Sequence, residues 1–191
     1  MFDRTLFKSF ARRKGPTLAH SSPVFPLPVV DERAPILLVF DPEDLAIEMA
    51  YERRPRADGT RVRTTLRNTQ LYFVPPLTPV LAVNDGLVVY ARKHDDGHAI
   101  IIDHCNGWLS VYHRLEHMFV TPSDRRPGGG IKVHAGDVLG YLAASGEGPL
   151  LPLRFELYRR TLDDYDPVDP LRFIRRWRAL SWGGATNLSG A

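Results

Sequence analysis

A single cysteine, Cys105, stands among 191 residues. One thiol cannot close an internal disulfide, so the fold rests on packing, and cysteine usage carries no mark of an oxidising compartment. Cys105 directly follows His104. On a strand the two side chains face opposite ways, which argues against a Cys–His nucleophile pair. No apolar run approaches the roughly 18–20 residues that span a bilayer as a helix. The N-terminus also lacks the unbroken apolar stretch of a secretory signal, because Arg4, Lys8 and Arg12 interrupt Phe2, Leu6, Phe7 and Phe10. Nor does one sign of charge dominate. Lys and Arg number 25 against 22 Asp and Glu, and this balance gives no expectation of a nucleic-acid partner. Internal repeats and low-complexity segments are missing too. The length suits one well-buried domain with an extension.

What is present divides the chain into four parts. Residues 1–30 form a basic segment and a proline-rich linker. Phe2, Leu6, Phe7 and Phe10 fall near one face of a short amphipathic helix, which reads first as a frayed or self-packed terminus and second as a segment that docks on a membrane surface or a partner. Prolines 16, 23, 26 and 28 then exclude regular structure. Residues 31–65 read as a strand, Ile36–Phe40, followed by a helix that Asp41 caps, Pro42 opens and Pro55 ends near Arg53. Ala57 to Thr60 reads as a turn. Residues 66–175 have an all-β texture: short strands separated by Asn84-Asp85, Asn106-Gly107 and Ala135-Gly136-Asp137, of which Asn106-Gly107 is the strongest hairpin signal. This predicts a mainly β fold, an antiparallel sandwich or open barrel. A closing helix is expected over Pro170–Leu180, and residues 176–191 hold its end and a flexible tail.

Five collinear segments carry a resemblance. Thr78-Pro-Val-Leu-Ala-Val-Asn-Asp-Gly86, the stretch Ala99 to Gly107, Val111-Tyr-His-Arg-Leu115, the stretch Val133 to Gly140, and the closing run to Leu153-Arg-Phe-Glu156 match, in order, the motifs of lysostaphin-type (LytM-like) zinc peptidases. The Asp169-Pro170 that follows fits as well. The resemblance spans about residues 67–174. It implies a β domain that holds zinc with a His, an Asp four residues later and the second His of a His-x-His motif, while two further histidines assist an attacking water. In this chain those positions hold Arg67, Leu71 and Arg154 for the metal, and Arg114 and Pro152 for the helpers. Arginine offers no lone pair, and leucine and proline side chains offer no ligand.

The resemblance thus implies a kept fold with neither zinc, other cofactor nor catalytic residues. If the fold holds, Arg67, Arg114 and Arg154 surround the former metal position. Glu156, on the same strand face as Arg154, can neutralise one of them, and the rest suit an anionic ligand. Tyr112 and Trp108, four residues apart on one strand, are candidates to line the same groove. The leading reading is a catalytically inactive binding or regulatory module in cell-wall remodelling, with a cell-wall hydrolase or a peptidoglycan peptide as partner. Two alternatives stand beside it: an active metallopeptidase with displaced ligands such as His113 and His104, and an intracellular adaptor. The compartment stays open, cytoplasmic by the missing signal and cell envelope by the resemblance.

Overall fold

The structure is a computed structural model that describes residues 7, 8, 10, 22–28, 36–51, 64–66, 69–71, 78–121, 130–142 and 153–181. The turn expected at residues 57–60 and the tail after 182 lie outside them. Among the described residues the fold is mainly β, as the strand texture predicts. Twelve strands run in chain order: β1 (Ile36–Asp41), β2 (Ala46–Tyr51), β3 (Thr64–Leu66), β4 (Thr69–Leu71), β5 (Pro79–Leu81), β6 (Gly86–His94), β7 (Gly97–Asp103), β8 (Trp108–Met118), β9 (Ile131–Val133), β10 (Val138–Leu142), β11 (Leu153–Arg160) and β12 (Tyr165–Val168). All but β3 and β4 join one open antiparallel sheet whose main order is β1-β2-β11-β8-β7-β6-β9. β10 pairs both β5 and β8, and β12 pairs β11.

The Asn106-Gly107 signal marks the turn between β7 and β8, where Gly107 adopts a φ of +88°. Asn84-Asp85 behaves differently. It links β5 to β6, but β5 pairs with β10 and β6 with β7 and β9. The two runs beside that turn are therefore not hairpin partners.

Alternation along β11 and β8 separates two apolar layers. Leu153, Phe155 and Leu157 face the main core with Tyr112, Ile100, Ile102, Ile47 and Met49. Tyr158, Leu109, Val111 and Ile101 face the other way, where Phe7 and Phe10 pack on them. Phe7 stacks on Tyr158 with ring centroids 4.5 Å apart. Residues 7, 8 and 10 are helical, so this part of the amphipathic segment packs its phenylalanines on the chain's own sheet.

Two expectations require correction. The helix expected from Asp41 to near Arg53 is, over its described residues 41–51, a turn and a strand. Asp41 does accept hydrogen bonds from the Glu43 and Asp44 N–H groups, at 3.1 and 3.5 Å, but it caps a turn rather than a helix. Leu45 then takes a φ of +49°, and the chain returns as β2, pairing with β1 and with β11. The burial of Ile47 and Met49, two residues apart, follows strand periodicity, and sheet pairing overrides a helix-start signal. Residues 36–51 are thus an edge hairpin of the main sheet. The closing helix is also shorter than expected: α1 covers Leu171–Ile174. It ends because Arg178 forms a parallel bridge with Val24, its N–H donating to the Pro23 carbonyl at 3.3 Å. A residue so engaged cannot continue a helical turn.

At Gly140 the sheet folds most tightly. A Cβ there would collide with the carbonyl oxygen of His117 on the paired strand. Backbone cannot yield as a side-chain tip can, so Gly140→Ala is expected to destabilise the protein by about 3 kcal/mol, read as a lower urea midpoint at unchanged slope.

Candidate functional site

On the sheet face opposite the main core, β11 presents Arg154, Glu156 and Tyr158 in alternation. The Arg154 guanidinium is half-enclosed and grips three carboxylates. Its Nε donates to Glu156 Oε1 and its Nη2 to Asp44 Oδ2, each at 2.9 Å, and Nη1 lies 3.8 Å from Asp41 Oδ2. Asp41 ends β1 and Asp44 lies in the β1–β2 turn, so the arginine ties that corner of the hairpin to β11. Burial works against the charge on Arg154, but Glu156 and Asp44 outweigh it and hold the group protonated more firmly than usual. Burial would push the Glu156 carboxyl up. The His113 imidazole, the Tyr158 hydroxyl and Arg154 together overcome it and hold the carboxyl down at about 2. Tyr158 donates to Glu156 Oε2 at 2.8 Å.

His113 enters this group through an irregularity in β8. The register against β7 pairs His98 with Leu115 and Ile100 with Tyr112, leaving one extra residue on β8. Arg114 sits there with a φ of +69°. Tyr112 and Leu115 can then both face the main core, while His113 faces the other side, opposite Arg154. Its Nε2 lies 3.4 Å from Glu156 Oε1. A bulge of this kind re-aims a side chain at the position where it falls. The sheet permits it because Gly97 stands beside it: a Cβ at Gly97 would come within 3.0 Å of the Arg114 Cα.

Of the six residues expected to line one groove, five are described, and these five do not share one face. Arg154 and Glu156 are in contact. Arg114 is directed to Asp96 in the β6–β7 turn, with Nε 3.8 Å from Oδ2. Tyr112 belongs to the main core and is fully buried. Its hydroxyl accepts the Val83 N–H at 2.9 Å. Trp108 lies on that same core-side face, packed edge-on against Phe173 at 5.0 Å. Arg67 and Pro152 lie outside the described residues, and Leu71 ends β4. An anion approaching Arg154 would meet three carboxylates around one guanidinium, so this arrangement does not make an anion pocket. Asp41, Asp44, His113 and Tyr158 were not expected as members. The two aspartates resemble a helix start in sequence, and the bulge that turns His113 leaves no local sequence mark.

The profile of peptidase family M23 matches residues 67–170, more than half of the chain. The chain belongs to peptidase family M23. Among solved structures, this M23 chain resembles a candidate peptidase M23 from Pseudomonas aeruginosa at 21% identity and a TM-score of 0.53, covering 87% of this chain and 57% of that one. It also resembles the antimicrobial peptidase lysostaphin from Staphylococcus simulans at 22% identity and a TM-score of 0.43, covering 63% and 46%. A third likeness is to the SpoIIQ–SpoIIIAH pore-forming complex, at 20% identity and a TM-score of 0.45, covering 81% and 92%. Likeness at these levels concerns the fold alone. The chain spans little more than half the length of the Pseudomonas protein. No curated protein matches it.

The M23 family implies zinc, which requires three lone-pair donors converging on one point. Among the described residues no three His, Cys, Asp or Glu side chains form such a group. Arg154 has no lone pair to give, and its donors already hold the nearest carboxylates. His104 points elsewhere: its ring nitrogens bond the Asp85 carbonyl at 2.8 Å and Ser110 Oγ at 2.9 Å, on the Tyr112 side of the sheet. The described donor set does not fit the metal.

The acid-site geometry has a pH signature. Glu156 titrates at about 2 when folded against an ordinary 4.5, so its stabilisation is present above pH 4.5 and is lost as pH falls through 2. Glu156→Gln is therefore expected to be less stable than the native chain at pH 7. That difference shrinks between pH 4.5 and 2 in urea titrations. Arg154→Met leaves three carboxylates without their shared cation and is expected to cost about 3–5 kcal/mol at pH 7.

Proposed function

We propose that this chain is a non-catalytic member of peptidase family M23 that acts by binding, as a regulatory module of cell-wall remodelling whose partner is a cell-wall hydrolase or a peptidoglycan peptide. The observation that carries this reading is Arg154. On the strand where the resemblance places a metal-binding histidine, the side chain is a guanidinium held by Asp41, Asp44 and Glu156. A fixed cation supplied by the chain satisfies those acids, and it can neither bind a metal nor activate water.

The alternative of a peptidase with displaced ligands finds less support. His104 and His113, the two histidines best placed for it, lie on opposite faces of the sheet. A member that no longer cleaves retains the surface by which its fold meets other molecules, and binding then becomes its contribution. Among the described residues no helix is long and apolar enough to cross a membrane.

Metal analysis of the purified full-length chain, paired with a turnover assay on peptidoglycan and glycyl-glycine peptides, tests the reading. The expected result is no stoichiometric zinc and no cleavage. One tightly held zinc per chain, with hydrolysis that disappears in His113→Ala, would sink it.

A further inference from the structure

An open sheet has edges, and each edge presents a row of backbone N–H and C=O groups that another strand can take up. Among the described residues four strands of the main sheet pair with one strand only: β1, β5, β9 and β12. Three of these edges are guarded. β9 has three residues, with Lys132 exposed, and β12 has four, with Asp166 exposed and Pro167 beside it. β5 is met on its other side by residues 24–26, where the Leu81 N–H donates to the Pro26 carbonyl at 2.8 Å. Shortness, charge, proline and a covering segment are the devices that keep sheet edges from pairing with other chains.

β1 uses none of them. Its six residues pair with β2 in unbroken register, and the run Ile36-Leu37-Leu38-Val39-Phe40 holds no charge, proline or glycine before Asp41. Continuous apolar runs of this kind belong to strands with neighbours on every side. Leu38 and Phe40 stand opposite Met49 and Ile47 of β2, and those two are fully buried in the main core. The core therefore reaches the strand beside β1, and a further strand beyond β1 continues the same layer.

We infer that β1 pairs antiparallel with β1 of a second copy, so that two sheets join into one across a two-fold axis near Leu38 and Val39. An antiparallel pair of identical strands is self-complementary, and the second copy brings an equally unguarded apolar edge. Asp41 sets the direction. In the antiparallel pair the two Asp41 residues stand at opposite ends, whereas a parallel in-register pair sets them side by side, and like charges directly opposite are unfavourable. Two-fold pairing consumes both edges, so assembly closes at the dimer and does not run on into a fibre. The inference concerns assembly and stands whether or not the chain cleaves anything.

Sedimentation velocity of the native full-length chain over about 1–100 µM tests it, with the dimer expected to dominate at the upper end. Hydrogen exchange across residues 36–41 is expected to slow over the same range, because the outward N–H groups of β1 become bonded only in the dimer. Val39 stands opposite Glu48, so Val39→Lys keeps an opposite-charge pair within the hairpin while it places two like charges near the axis. That variant is expected to dimerise at least about tenfold more weakly, with thermal unfolding of the dilute chain unchanged. A native chain that stays monomeric throughout would overturn the proposal. So would a dimer whose exchange at residues 36–41 does not change with concentration, or one that Val39→Lys leaves intact.

Discussion

A guanidinium withdrawn from water is tolerable in a protein only where anions meet it with good geometry, and Arg154 meets three. That constraint organises one side of this molecule. Asp41 and Asp44 are drawn onto β11, which seats the hairpin at the position where β2 can pair with Leu153–Glu156. Glu156 is held ionised despite its burial, and it in turn orders Tyr158 and faces His113. Tyr158 then offers its ring to Phe7. From the charged centre to the docked N-terminal phenylalanines, the contacts form one continuous run.

This network occupies the place on β11 where the resemblance implies a metal-binding histidine. In a zinc site the metal is the cation that makes converging acids and imidazoles tolerable. Here the chain supplies a cation of its own, and the carboxylates nearest to it point at nitrogen donors. The positive charge that these acids require is met within the chain.

The sheet serves different ends on its two faces. One face carries the charged network and the N-terminal phenylalanines. The other carries the main core, and at its margin a cleft walled by Trp108, Phe173 and Trp177.

Much of the fold is legible in the order of residues, because strands, hairpin turns and collinear motifs are local facts. Asn106-Gly107 marks a turn whatever surrounds it, and alternation in β11 assigns Phe155 and Arg154 to opposite faces before any partner is known. That residue 154 is an arginine, where the resemblance implies a histidine, is equally plain. Pairing and register are not local, and there the tertiary structure decided. Residues 42–53 carry helix-start chemistry, yet an open edge of β11 makes residues 46–51 a strand. Arg114 and His113 are neighbours whose roles are exchanged by one extra residue in β8, which is defined only against β7. Arg154 is a cation by sequence in any fold. Whether it would attract a ligand or be satisfied internally depended on Asp41 and Asp44, more than a hundred residues away along the chain, which only chain folding could bring to it.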